Sequence, residues 1–168
     1  MNLTLKQKNA LAKSPTATAE QLTKLANDED WYVRSWVAQH PNCPIPILEK
    51  LSNDEDSDVR RWVAQHPNCP ISSLEKLAND EIWEVRSCVA EHPNCPITIL
   101  EKLSNNESSS VRYWVARHPN CSIPALEKMA NDEDSNVRYY VARNPNCPQY
   151  LKEYFKVKNF ISRYESYT

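Results

Sequence analysis

Every 26 residues this chain repeats the pattern Val-Arg-x-x-Val-Ala-x-His-Pro-Asn-Cys-Pro, with small departures. That recurrence limits the fold more than any local propensity can. The copies open at Val33-Arg34, Val59-Arg60, Val85-Arg86, Val111-Arg112 and Val137-Arg138 and take up most of the 168 residues. A fixed period in this range is the mark of a solenoid, in which each unit contacts only its neighbours. A solenoid is a surface for holding something. Any chemistry has to be argued from a separate site.

Within one unit the residues call for two short helices. Asp56 suits an N-cap for a helix opening at Ser57. Val59, Trp62, Val63 and His66 fall on one stripe, which is expected to face the core. His66-Pro67 stops the helix, because a residue before Pro is biased away from helical backbone. Pro70 suits the first turn of a second helix that carries Leu74 and Leu77 and ends near Asn79. There is no Gly in the chain, so Asn79 is expected to take the left-handed backbone usual at a helix end. Neither helix could bury its apolar side alone; stacked units would share a core of Val, Leu, Ile and Trp columns. The expected fold is an all-α, right-handed superhelical solenoid of two-helix repeats. Residues 1–28 read as a degenerate capping half-repeat, 29–149 as five units, and 150–168 as a C-terminal capping helix or tail. Tyr154, Val157, Ile161 and Tyr164 follow helical spacing in that tail, which could cap the stack or dock a partner.

Charge separates function classes only weakly. The net charge is −2, so no global field pulls the protein onto nucleic acid or a membrane. Residues 111–168 are nevertheless net basic and residues 1–110 net acidic. The first residues lack the apolar run of a signal peptide, and nothing approaches the ~18 apolar residues of a membrane span. A soluble, cytoplasmic, monomeric protein is the expectation.

The segments DWYVRSWVAQHPNCPIPILEKLS and DSNVRYYVARNPNCP carry a more specific signal. Their Asp-x-x-Val-Arg-x-x-Val-Ala-x-(Asn/His)-Pro-x-(Thr/Cys)-Pro pattern resembles the leucine-rich-repeat-variant family over about residues 10–150. The resemblance implies a right-handed superhelix of alternating α- and 3₁₀-type helices. It is also similar to HEAT-type repeats, in which Asp and Arg pair along the stack. The founding type of the family adds a cysteine-rich N-terminal segment with an iron–sulfur cluster. Residues 1–42 here contain no Cys, so no cofactor is expected.

Three columns could hold chemistry. Cys43, Cys69, Cys95, Cys121 and Cys147 occupy one position, with Cys88 an extra. Stacked helices lie ~8–10 Å apart, whereas a disulfide needs Cα atoms within ~7 Å, so these thiols are expected to be reduced and buried. His40, His66, His92 and His118 form a second column that Asn144 continues. Asn shares the hydrogen bonding of His but is not a comparable zinc ligand, which favours a structural role at the helix end. Arg34, Arg60, Arg86, Arg112 and Arg138 form the third. Their expected partners are acids of the preceding turn: Asp28, Asp54, Asp80 and Asp132, with Asn106 breaking the series; a phosphate-binding row is the alternative. Trp36, Trp62, Trp114 and Tyr140 form an aromatic row assigned to the core.

Positions that repeat should hold the stack, and positions that vary are free to meet a partner. On the first helix the varying columns are Tyr32/Asp58/Glu84/Ser110/Asn136, Ser35/Arg61/Ser87/Tyr113/Tyr139 and Gln39/Gln65/Glu91/Arg117/Arg143. In the last two copies they supply Tyr113, Arg117, Tyr139 and Arg143, residue types enriched at interface hot spots. No glycine-rich phosphate loop exists, and Ser, His and Asp recur as columns rather than as one catalytic set. The expectation is a non-enzymatic scaffold whose partner is a protein, met through those four residues. Glu84 and Glu91 speak against a long polyanion. The alternatives are nucleic-acid binding by the same face and a metal- or redox-responsive protein using the His and Cys columns.

Overall fold

A computed structural model describes residues 3–165, with side chains described to residue 158. Among these residues there are twelve helices and no strand. The chain is an all-α repeat solenoid of two-helix units. It divides into two compact units, Met1–Cys95 and Pro96–Thr168.

The first unit contains α1 (Leu5–Ala12), α2 (Ala19–Leu25), α3 (Trp31–Gln39), α4 (Ile45–Leu51), α5 (Ser57–Gln65), α6 (Ile71–Leu77) and α7 (Trp83–Glu91). The odd-numbered helices pack in succession, α1 on α3, α3 on α5 and α5 on α7, while α4 packs on α6. Residues 5–25 already supply both helices of a pair, more than the half-unit the worn sequence suggests. The second unit contains α8 (Ile97–Leu103), α9 (Ser109–Arg117), α10 (Ile123–Met129), α11 (Ser135–Arg143) and α12 (Gln149–Glu165). There α9 packs on α11, α8 on α10, and α12 on α11.

Local chemistry sets these boundaries. Asp56 accepts from the Asp58 and Val59 amides at 2.9 and 3.4 Å and opens α5, and Asp134 does the same for α11. Thr4/Gln7 and Thr18/Gln21 form capping boxes on α1 and α2. Each odd-numbered helix from α3 to α9 ends on a His with extended backbone, followed by Pro. The second helices are α-helical throughout, seven residues each in α4, α6, α8 and α10, rather than 3₁₀.

The expectation of left-handed Asn is overturned: no described residue has positive φ. The last turn closes instead with right-handed residues. The Asn79 and Asp80 amides donate to the Lys76 and Leu77 carbonyls, and Asn79 Nδ2 takes the Glu75 carbonyl at 2.9 Å. An amide side chain thus satisfies a helix-end carbonyl, and the turn does not require glycine.

Val33, Val37, Val59, Val63, Val85, Val89, Leu48, Leu51, Leu74 and Leu77 are fully buried in the first unit, and Val111, Val115, Leu126 and Met129 in the second. Two expectations about the core fail. Trp36, Trp62, Trp114 and Tyr140 are only half-buried, because they stand at the edge of the Val stripe. Ile45, Ile71, Ile97 and Ile123 repeat faithfully yet remain 46–55% exposed, since the first residue of each second helix points outward. In α12, Leu151 and Phe155 face inward while Tyr154 and Val157 are exposed. The Ile161 and Tyr164 side chains lie outside the described residues.

Candidate recognition surface

The histidine column is a hydrogen-bonded ladder. His40 Nε2 meets the Ser14 carbonyl at 2.9 Å, His66 the His40 carbonyl at 3.0 Å, and His92 the His66 carbonyl at 3.1 Å. On the other ring edge, Nδ1 accepts from the amide two residues on: Asn42, Asn68, Asn94 and Asn120 at 3.0–3.1 Å. Accepting at Nδ1 leaves Nε2 as the N–H that donates, so the ring is neutral. In the second unit Asn144 reproduces both halves: Nδ2 donates to the His118 carbonyl at 3.0 Å and Oδ1 accepts from Asn146 at 2.9 Å. With both nitrogens engaged, these rings have no lone pair to offer a metal ion.

Burial lowers the His66 and His92 pKa from the usual 6.5, against the carbonyl contact that would raise it. Protonation would place two N–H groups face to face at Nδ1. Unfolded His binds its proton at higher pH than folded His. Stability is therefore full above about pH 6.5 and falls as pH drops through the lowered folded values. We expect the denaturant midpoint to be lower at pH 5.5 than at pH 7.5. An unchanged midpoint would contradict the ladder.

The cysteines are buried free thiols. Desolvation pushes Cys43, Cys69, Cys95 and Cys121 up to about 12, and Cys88 to about 11. Thiols held in that range are poor nucleophiles.

The arginine column pairs forward along the chain, which corrects the expected partner. Arg34 Nε and Nη2 bind the Asp54 carboxylate at 2.7 and 2.8 Å, twenty residues on, and Nη2 reaches Glu55 at 3.3 Å. Arg60 grips Asp80 in the same way, at 2.6 and 3.0 Å. In the second unit Arg112 grips Asp132, at 2.7 and 2.8 Å. The preceding acid is hydrogen-bonded through its backbone: Nη1 of Arg34 donates to the Asp28 and Glu29 carbonyls. Helical geometry aims the guanidinium toward the following turn, so sequence proximity picked the wrong carboxylate. Lys8 does the work of Arg in the first pair, reaching Asp28 at 2.7 Å. Burial alone would raise the Asp132 pKa, but hydrogen bonds from Arg112 and the Asp134 amide hold it below 3.8.

The four residues singled out for recognition lie together on α9 and α11. Tyr139 is 49% exposed, Arg117 and Arg143 are exposed, and Tyr113 is half-buried. The Tyr113 ring meets Tyr140 edge-on with centroids 4.8 Å apart, and Tyr139 meets Tyr140 at 5.2 Å. The Arg143 guanidinium lies 3.7 Å over the Tyr139 ring, and that of Arg117 lies 5.0 Å over Trp114. Trp114 and Tyr140, assigned to the core from sequence, are therefore part of this surface. A cation three residues after each of them was the available signal.

The other end of the same columns behaves differently. Ser35 and Ser87 are buried rather than outward, as their small side chains are covered by neighbours. Lys13, one period before Gln39, stacks 3.9 Å over Trp36 and makes an aromatic–cation cluster with Tyr32 that the sequence reading missed. Extending the column back by 26 residues would have found it.

Residues 31–56 and 58–82 match the family model described as leucine rich repeat variant. A solved structure described as a leucine-rich repeat variant with a novel repetitive structural motif is 31% identical, with a TM-score of 0.68. The chain belongs to the leucine-rich-repeat-variant family. The alignment with that variant covers 84% of this chain and 56% of the other, so the chain spans little more than half the length of that relative. An engineered protein aligns over 88% of this chain and 90% of its own, at 17% identity and a TM-score of 0.45. No curated protein sequence matches. The Arg and Val columns of this leucine-rich repeat variant recur in all five of its copies. The Tyr/Arg cluster stands at positions where its own copies differ. Among the described residues no His/Cys/Asp/Glu group has the arrangement of a metal centre, and no helix is long and apolar enough to cross a membrane.

Proposed function

We propose that this chain is a non-enzymatic scaffold that holds a protein partner on the α9–α11 face. The observation that carries the reading is the preassembled stack of Tyr113, Trp114, Tyr139 and Tyr140 beneath Arg117 and Arg143. Edge-to-face packing fixes these rings before any partner arrives, so little side-chain entropy is lost on binding. Tyr, Trp and Arg are also the residues that dominate interface energetics.

The same geometry favours protein over nucleic acid. Base stacking needs an open ring face. Here a guanidinium lies over Trp114 and another over Tyr139, and Tyr113 and Tyr140 are already engaged in edge-to-face contacts. The nucleic-acid reading remains testable: retention on heparin and salt-dependent RNA or DNA binding would replace ours.

Tyr139→Ala with Arg143→Ala is expected to leave the melting temperature within about 2 °C, since both side chains are exposed. The same pair should weaken capture of a partner from the native cell about tenfold or more. A double variant that fails to fold, or that captures as well as the parent, refutes the assignment.

A further inference from the structure

Arg138 is the fifth arginine of the column, and twenty residues on, where Arg34, Arg60 and Arg112 have an Asp, it has a lysine. Its Nη1 is anchored like the others, donating to the Asp132 and Glu133 carbonyls at 2.6 and 2.8 Å. That anchoring fixes the guanidinium in the orientation seen at Arg34, Arg60 and Arg112. In those rungs the opposite edge grips an Asp carboxylate, with the following Glu at 3.2–3.7 Å. One period after Asp132 the residue is Lys158. The chain there continues as α12 instead of making the acidic turn. Among the described residues no carboxylate forms an ion pair with Arg138.

A groove of about 250 Å³ lies at this position between α11 and α12. Arg138, Arg143 and Lys158 line it, with Tyr139, Ala142 and Phe155 as its apolar part. Lys158 is held on this side by the Tyr154 hydroxyl at 3.1 Å. Three cations thus surround a place where the other paired rungs hold two carboxylates.

We infer that this groove receives a short acidic segment of a partner protein, whose Asp-Glu pair completes the Arg138 rung as Asp132 and Glu133 complete that of Arg112. This rests on reading the α9–α11 face as a protein-binding surface and names what the partner must present. The stereochemistry is set by the chain's own rungs: a bidentate Asp on Nε and Nη2, with Glu beside Nη2. Phe155 and Tyr139 would pack against the segment's backbone.

The probe is the acetylated, amidated tetrapeptide Asn-Asp-Glu-Asp, the sequence of residues 53–56 and 131–134, titrated into the whole protein. The arginine Nε–H resonances are followed by NMR. We expect the Arg138 signal to shift saturably while those of Arg34, Arg60 and Arg112, already gripped by Asp, stay in place. The neutral peptide Asn-Asn-Gln-Asn should bind about tenfold more weakly or worse. In Arg138→Gln, followed by the backbone amides of Tyr139, Ala142 and Phe155 that line the groove, peptide binding should be lost. Lys158→Glu, an exposed change that supplies an internal carboxylate, should abolish it with folding intact.

The inference is overturned by an unmoved Arg138 signal, by equal binding of the neutral peptide, or by binding that survives in Arg138→Gln. It is also overturned by a shift that follows protein concentration without peptide, which would make the occupant a second copy. A short RNA that moves the resonance at lower concentration than the peptide does so as well. Failure here with capture still dependent on Tyr139 and Arg143 would discard the acidic segment and keep the protein-binding face.

Discussion

Replacing Asp80 with alanine is expected to cost about 3 kcal/mol, the low end of the range for breaking a buried ion pair. In a chain of this size that lowers the melting temperature by about 6–12 °C. The carboxylate is nearly inaccessible and does three things. Oδ2 and Oδ1 accept from Arg60 Nε and Nη2, and Oδ1 also accepts from the Ile82 amide at 3.0 Å at the entrance to α7. Removing it leaves the half-buried Arg60 guanidinium with only the exposed Glu81 at 3.7 Å as counter-charge and frees a turn amide. Its own carbonyl still receives Arg86 Nη1 at 2.6 Å, a backbone contact that alanine preserves. The effect therefore reports the side chain alone. Asp80→Asn keeps the turn contact and loses the charge, and should fall between parent and alanine. Circular-dichroism melts of the three proteins test this. If alanine melts within 2 °C of the parent, the forward-pairing ladder contributes little to stability.

The second large effect is expected at His66, where chemistry and shape can be separated. His66→Leu keeps most of the volume but takes the ring acceptor from the Asn68 amide and one of two donors from the His40 carbonyl, which keeps the Cys43 amide at 2.8 Å. A polar group left without its partner costs about 1–3 kcal/mol, and that is the expected loss. His66→Asn should cost less, about 1 kcal/mol. The reason is already in the chain: Asn144 makes the equivalent two contacts in the second unit. Asn does not titrate, so this variant should also show a weaker loss of stability on acidification. Denaturant midpoints at pH 7.5 and 5.5 decide both points. Equal destabilisation by Leu and Asn would mean that ring volume, not the bridge between units, is what the position needs.

Much of this was legible from one chain because the repeat is its own alignment. The period, the helix boundaries at Asp56 and His66-Pro67, and the Val and Leu core follow from spacing and backbone chemistry. Each of those rules acts within a few residues. The errors share a cause. Arg34 was assigned to the nearer Asp28, yet it grips Asp54 twenty residues away. Trp114 and Tyr140 were placed in the core because they share a helical stripe with Val, though only a neighbouring helix decides where that stripe meets water. Ile45, Ile71, Ile97 and Ile123 break the rule that repeating positions hold the stack.

Sequence by itself determined that the chain is a helical solenoid, that the first helix of a repeat such as 57–65 opens after Asp56 and stops at His66-Pro67, and that Tyr113, Arg117, Tyr139 and Arg143 belong to the columns that vary. These depend on interactions between residues close along the backbone, or on a period that any reader can count. The tertiary structure alone decided which carboxylates Arg34, Arg60 and Arg112 hold, and that the histidines reach a carbonyl one repeat back. Those contacts join residues twenty or more apart, and their direction depends on how one helix sits against the next.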